Sequence, residues 1–165
     1  MKRLEPRHIH HLEACQAWIE LGEYRRAVAE LDRLTPQLRL QPEVLEPRAV
    51  IACKLESWQE CLELASVLIQ LVPQRSLGWL HRSFALHELG HTREAAELLK
   101  PALALFPKDW MIRYNLACYA CHLADVEEAW RWLEAAYNLG DPVEVARVAP
   151  AGRELKPFWA EPAVV

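Results

Sequence analysis

The sequence has little glycine and no long run of apolar residues. Five glycines among 165 residues leave no glycine-rich loop of the kind that cradles phosphate groups. No stretch approaches the roughly 20 apolar residues that span a membrane. No apolar segment follows the charged residues near the amino terminus, so no secretory signal is predicted. We therefore expect a cytoplasmic protein that does not enter a membrane.

An excess of positive charge is also absent. The chain has 19 Lys and Arg against 23 Asp and Glu, a formal net charge of −4, and it has no basic stripe. Nucleic acid is therefore not an expected partner. The five cysteines are an odd number, which does not suit a disulfide framework, and in the cytoplasm they are expected to be reduced. A hydrophobic content of 52% over this length is sufficient for one globular core.

A repeat of 34 residues runs through the chain. Four segments share a turn, and each segment has a small residue at the same position: Ala27, Cys61, Ala95 and Ala129. A second set of small residues recurs with the same spacing: Cys15, Ala49, Ser83 and Ala117. Small side chains at both positions let two helices approach to about 8–10 Å. The common spacing of the two sets indicates one repeated structural unit.

This pattern resembles the tetratricopeptide repeat family, whose 34-residue unit has the motif A-x3-F and a closing proline. Trp79 holds the family's tryptophan position, and Pro73 and Pro107 close two of the repeats. The resemblance covers roughly residues 8–142. It implies an all-α fold, a right-handed solenoid of four repeats with a carboxy-terminal capping helix. The expected domain, 1–149, consists of repeats 8–41, 42–75, 76–109 and 110–141 and a cap at 142–149, and an irregular tail follows at 150–165.

The repeats predict eight helices, and several residues depart from the family pattern. The helices are expected at 8–21, 24–35, 43–55, 58–71, 76–89, 92–106, 110–123 and 126–139. The expected helix stops are Gly22, Gly90 and Gly140. Pro47 is expected to delay the start of the third helix, and Pro101 to kink the sixth. Arg48 and Arg82 stand where the family usually has Leu, so their guanidinium groups must reach solvent or a carboxylate.

In the tetratricopeptide family, the first helix of each repeat lines a concave groove. By position within the repeat, the expected groove residues are Val50, Lys54, Leu77, Leu80, Phe84, His87, Met111, Tyr114, Cys118, Cys121 and His122. The apolar members are predicted to form a patch that binds a protein or peptide through Leu or aromatic anchors. One lysine is too few for the carboxylate clamp of the family's co-chaperones. Two alternatives remain: superhelical packing buries the patch, or the protein's own tail, including Phe158 and Trp159, fills it.

Two sequence patterns resemble a cofactor site and a metal site. Residues 118–122 spell C-x-x-C-H, the haem-attachment string, but they lie inside a repeat helix of a chain without a predicted export signal. Cys53, His87 and Cys121 share one groove position in consecutive repeats, and zinc prefers thiolate and imidazole ligands. However, neighbouring repeats lie about 8–10 Å apart, whereas a zinc–sulfur bond is about 2.3 Å. No cofactor, metal or catalytic activity is therefore expected.

The leading functional hypothesis is a protein-binding module, an adaptor or a chaperone-like protein. One alternative is a structural protein that forms a homodimer through its tryptophan-rich faces, with Trp130, Trp132 and Trp159 as candidates. Another is a chaperone of type III secretion translocators. Those chaperones are small tetratricopeptide proteins of similar length, but the carboxy-terminal region of this chain does not obviously resemble theirs.

Overall fold

The structure is a computed structural model that describes residues 5–141 together with 144 and 145. All regular structure among these residues is helical, which confirms the all-α prediction. The helices are α1 (Pro6–Glu20), α2 (Tyr24–Asp32), α3 (Pro42–Lys54), α4 (Trp58–Leu71), α5 (Ser76–Glu88), α6 (Thr92–Leu99), α7 (Ala102–Leu105), α8 (Trp110–His122) and α9 (Val126–Tyr137). None of the helices in this part of the chain is long and apolar enough to cross a membrane. Apart from 144 and 145, the expected cap and tail lie outside the described residues.

Proline positions account for the largest differences between expected and observed helices. The single helix expected at 92–106 is two helices, because Pro101 has no N–H to donate and the chain leaves α6 after Leu99. Where a kink was expected at Pro101, the helix is interrupted. The predicted delay at Pro47 is wrong, since α3 begins at Pro42, ahead of it. Pro42 occupies the first turn of α3, where a missing N–H leaves no hydrogen bond unmade.

Helix α2 ends earlier than expected, at Asp32. Thr35 precedes Pro36, and a residue before proline is disfavoured in the helical conformation. The connection that follows is not merely exposed chain, because Leu34 and Leu38 are buried in it. These two leucines extend the core of the first repeat beyond its second helix.

The turn inside each repeat contains a left-handed residue at the same repeat position. The four residues are Gly22 (φ 74°), Glu56 (φ 57°), Gly90 (φ 87°) and Ala124 (φ 62°). Glycine adopts this conformation freely, whereas a side chain makes it costly. Gly22 and Gly90 are therefore helix stops, as predicted. Gly140 has a different role, because a Cβ atom there would lie 2.5 Å from Val145 Cγ2 and 2.9 Å from Trp110 Cγ.

The chain divides into two compact units, residues 1–85 and residues 86–165. In the first unit, the small residues of the repeats are in the core and fully buried: Cys15, Ala27, Ala49 and Cys61. Leucine, valine and isoleucine side chains from α2, α3 and the intervening connection surround Cys15 and Ala27. In the second unit, the equivalent small residues are also fully buried: Ala95, Ala117 and Ala129. Within each unit, the predicted role of the small residues is therefore observed.

The two unusual arginines of the first unit both find partners. Arg48 donates a hydrogen bond from Nη2 to Asp32 Oδ1, as predicted for a guanidinium at a leucine position. Its Nε is buried without a hydrogen-bond partner. The guanidinium carbon of Arg82 lies 5.2 Å from the centroid of the Trp79 ring, a cation–π distance. Trp79, at the family's tryptophan position, donates from Nε1 to the Pro73 carbonyl at 3.0 Å.

Candidate functional site

The first unit carries five of the expected groove residues on its first helices. Val50 and Lys54 lie on α3, and Leu77, Leu80 and Phe84 lie on α5. Lys54 is exposed, and the four apolar side chains are partly buried. Leu77 also packs against a buried cluster of Leu45, Ala49 and Leu68. The apolar side chains of α5 therefore support the core from one side and remain partly accessible from the other.

Phe84 has an aromatic partner within the first unit. Its ring meets the ring of Trp58 edge-on, with the centroids 5.6 Å apart and the planes at 78°. Edge-to-face pairs of this kind are favoured by the charge distribution of aromatic rings. Trp58 is the first residue of α4, so the contact fixes Phe84 against the preceding helix. A fixed ring loses less side-chain entropy when a ligand binds to its open face.

Arg75 compensates the acidic side chains at the start of α3. Its Nη1 donates to Glu46 Oε1 at 2.9 Å, and its Nη2 lies 3.6 Å from Glu43 Oε1. The hydrogen bond to Glu46 and the charge of this carboxylate raise the pKa of Arg75. The guanidinium thus ties the connection before α5 to α3. Because the carboxylates of Glu43 and Glu46 are paired with Arg75, the side chains that remain available to a ligand on this part of the first unit are mainly apolar.

His81 lies on α5, the helix that carries Leu77, Leu80 and Phe84, and its imidazole is neutral. Its Nδ1 lies 3.0 Å from the Leu77 carbonyl oxygen. Burial lowers the pKa of His81, and the positive charge of Lys54 lowers it further. A charged imidazole is therefore disfavoured at this place, and the helix carries no histidine charge here near neutral pH.

The second unit carries the other six expected residues: His87, Met111, Tyr114, Cys118, Cys121 and His122. Met111 is 42% exposed, whereas Tyr114 is only 6% exposed, and Cys118 is also buried. The Tyr114 ring lies against Trp110, with the centroids 6.3 Å apart. The accessible apolar surface of α8 is therefore smaller than its repeat positions predict, and Met111 is its main component. Packing accounts for the rest, as one of the sequence-based alternatives anticipated.

His87 is the centre of a ring cluster in the second unit. Its centroid lies 5.0 Å from that of Tyr119 and 5.0 Å from that of His122. Its Nδ1 lies 3.0 Å from the Thr92 hydroxyl. Across the described residues, no three His, Cys, Asp or Glu side chains converge as a metal site requires. The haem-like string 118–122 lies within α8, with Cys118 and Tyr119 facing the core.

Three side chains near the expected site were missed by the sequence reasoning: Trp58, Arg75 and Trp110. The groove positions of the repeat do not include them. Trp58 begins a second helix, and Arg75 lies in a connection. Trp110 is the first residue of α8. Aromatic residues at helix starts were the available signal for the two tryptophans, whereas nothing in the sequence indicated the pairing of Arg75.

Comparison with known proteins identifies the fold. No protein-family model matches the chain, and no curated protein matches it in sequence. A thermophilic TPR protein of Thermus thermophilus is 21% identical, with a TM-score of 0.76, over 93% of this chain and 87% of that chain. MamA from Desulfovibrio magneticus RS-1 is 17% identical, with a TM-score of 0.73, over 94% of this chain and 88% of the MamA chain. A chain in the crystal structure of the APC/C hetero-tetramer Cut9–Hcn1 is 16% identical, with a TM-score of 0.75, over 88% of this chain and 30% of that chain.

These likenesses agree with the internal evidence. The small residues recur every 34 positions in the sequence, they are buried within each unit, and left-handed turn residues recur with them. Similar solved structures extend over most of the chain. The chain therefore has the tetratricopeptide-repeat fold, as its sequence pattern indicated.

Proposed function

We propose that this protein binds a segment of another protein through the faces of its first helices, as an adaptor or a chaperone-like module. The observation that carries the proposal is the apolar face of α5. Leu77, Leu80 and Phe84 are spaced for one side of a helix, and all three are partly exposed. Partly exposed apolar side chains grouped on one face are typical of a binding surface.

The second unit contributes an apolar group of the same kind. Met111 extends from α8 with 42% of its side chain exposed, and methionine adapts its shape to different partners. The chemistry of both units suits a peptide with leucine or aromatic anchors, in a helical or an extended conformation. The binding domain in this proposal is the set of four repeats, with the peptide in the concave groove typical of the fold.

The fold neighbours support a role in protein complexes. Cut9 is one of the proteins with this fold, and it was solved in a hetero-tetramer with Hcn1. Tetratricopeptide solenoids present extended surfaces to their ligands. The finer assignment, to an adaptor or to a chaperone in the cytoplasm, rests on the sequence and on the apolar character of the first helices.

Selection from a random peptide library tests the proposal. The library is displayed on phage and selected against the full chain. Recovered peptides are then tested against Phe84→Glu and Met111→Glu. Tyr114 is buried and would report on folding, so it is not replaced. The matched controls are Leu71→Glu and Leu105→Glu, which place the same charge at exposed leucines on α4 and α7.

We expect the recovered peptides to share leucine or aromatic anchors and to lose binding to the two groove variants but not to the controls. Peptides that bind all four variants equally would contradict the proposal. Affinity capture from native cell extract, with wild type and Phe84→Glu compared by mass spectrometry, would then name the partner.

A further inference from the structure

Two clefts lie at equivalent places in the two units. The first cleft, in the first unit, lies between α2, α3 and α4 and has a volume of about 290 Å³. The second, in the second unit, lies between α6, α8 and α9 and has a volume of about 100 Å³. Six of the seven lining residues of the first cleft have a counterpart two repeats further along the chain in the second cleft, among them the pairs Arg25 and Arg93, Ala52 and Ala120, Leu55 and Leu123, and Glu60 and Glu128.

The second cleft is lined by one of the protein's own tryptophans. Trp132 lies along it and donates from its indole Nε1 to Glu128 Oε1 at 3.1 Å. Lys100 Nζ lies 3.2 Å from the same carboxylate oxygen, so an ion pair joins α6 to the start of α9. This tryptophan and this ion pair leave little open volume.

The first cleft lacks both of these features. Leu64 stands at the repeat position of Trp132 and does not line the cleft, and Asp32 stands at the position of Lys100 and is bonded to Arg48. Within the described part of the chain, Arg25 forms no ion pair and Glu60 no hydrogen bond. The cleft therefore combines an apolar floor, an exposed Leu55 and two charged groups on α2 and α4 that have no such partner among the described residues.

The same chain exposes a side chain that matches this cleft. Trp130, on α9 in the second unit, is 49% exposed. Two acidic side chains, Glu127 and Glu134, lie one turn to either side of it on the same helix face, and both are exposed. In the described part of the chain neither of them forms an ion pair. The group therefore offers an indole between two carboxylates.

We propose that Trp130 of a second copy of this chain inserts into the first cleft, between α2 and α4. Its indole N–H donates to the Glu60 carboxylate, as the Trp132 indole donates to Glu128 in the equivalent cleft. The acidic neighbours Glu127 and Glu134 face Arg25. The occupant is thus identified by its shape, from the indole that lines the equivalent cleft, and by its charge, from the positive charge of Arg25.

This interface would be heterologous, since one copy contributes the cleft and the other contributes the tryptophan. A tryptophan and an arginine are the residues that most often dominate binding energy at protein interfaces. A single anchored side chain predicts weak association, in the micromolar range. The interface does not depend on peptide binding by the first helices, because none of its residues belongs to the expected groove.

Sedimentation velocity of the full chain, from low to high micromolar concentration, tests the interface. The cleft variant is Arg25→Glu combined with Leu55→Glu, and the anchor variant is Trp130→Ala. The controls are Arg93→Glu combined with Leu123→Glu, at the equivalent positions of the second cleft, and Leu105→Ala, an exposed leucine. Circular dichroism establishes that all variants are folded.

The wild type and both controls are expected to associate as concentration rises, and each test variant alone is expected to stay monomeric. An equimolar mixture of the two test variants is expected to form dimers, because each supplies the half of the interface that the other lacks. A monomeric wild type would overturn the proposal. Test variants that still associate, or a mixture that stays monomeric beside an associating wild type, would overturn it as well.

Discussion

The ring of Phe84 meets that of Trp58 edge-on, with the centroids 5.6 Å apart. This contact joins α5 to α4, so one residue of the proposed binding surface is also part of the packing between neighbouring repeats. Packing and binding therefore have to be separated by experiment. A substitution at Phe84 is informative about binding only when its effect on stability is known.

Trp58 and Phe84 are expected to be energetically coupled. In a double-mutant cycle of Trp58→Ala and Phe84→Ala, the two losses in the free energy of unfolding should not add, and the coupling should be about 0.5–1.5 kcal/mol, as for other aromatic pairs. Urea unfolding of the four proteins provides the measurement. Losses that add to within about 0.3 kcal/mol, as for sites without contact, would show that the rings do not interact.

Replacement of Ala124 by glycine is expected to stabilise the protein. Ala124 has φ 62°, a conformation that disfavours a Cβ atom and that Gly90 adopts at the equivalent position. We expect a gain of up to about 1 kcal/mol for Ala124→Gly, and a loss of similar size for Gly90→Ala. Ala96→Gly, within α6, is the control and should destabilise by about 1 kcal/mol. An Ala124→Gly protein as destabilised as the control would contradict the assigned turn conformation.

Acidification is expected to destabilise the first unit through His81. Burial lowers the pKa of His81 below its ordinary value of 6.5, so the unfolded chain binds a proton more readily than the folded chain. The contribution of this group to stability is complete above pH 6.5 and is lost as the pH falls below it, by at most about 1.4 kcal/mol for each pH unit.

The free energy of unfolding, measured at about pH 7.5 and about pH 5.5, tests this effect. His81→Gln should lose less stability between the two values than the wild type does. His10→Gln, at an exposed position, should behave like the wild type. An equal loss in wild type and His81→Gln would mean that His81 is not the group responsible.

The five thiols are expected to differ in reactivity. Burial raises the pKa of Cys15 to about 11, and the charge of Glu30 contributes. A hydrogen bond between the Cys61 thiol and the side chain of Cys53, together with burial, raises the pKa of Cys61. Because the thiolate is the reactive form, iodoacetamide at neutral pH should leave Cys15 and Cys61 unmodified. It should react with Cys121, which is partly exposed.

Mass spectrometry of peptides from the folded protein and from protein in urea measures these rates. Cys15 and Cys61 should react only after unfolding. Equal rates for Cys15 in the two conditions would contradict its place in the core.

The fold was predictable because close helix packing imposes a periodic rule on the sequence. Ala27 and Ala95 recur at a fixed spacing since a larger side chain would separate the two helices of a repeat. The site was less predictable. Position within a repeat indicates which way Tyr114 points, but not that Trp110 lies against it. Likewise, no periodic rule placed Arg75, which lies in a connection, near the carboxylates of α3.

The helix boundaries, too, were predictable only in part. Pro101 disturbs the helix expected at 92–106, as predicted, although it interrupts the helix rather than kinking it, because the loss of a backbone donor acts locally wherever proline stands inside a helix. Pro47 did not delay α3, because the helix had already begun at Pro42. The start signal nearer the amino terminus therefore decided where this helix begins.

The most direct test of peptide binding by the first helices is calorimetric titration of a peptide recovered from the library into wild type, Phe84→Glu, Met111→Glu, Leu71→Glu and Leu105→Glu. We expect the Kd to rise at least tenfold for each groove variant, equivalent to about 1.4 kcal/mol, and to stay near the wild-type value for the two controls. A Kd unchanged in Phe84→Glu and Met111→Glu, with both variants folded, would contradict the assignment of the binding surface to the first helices.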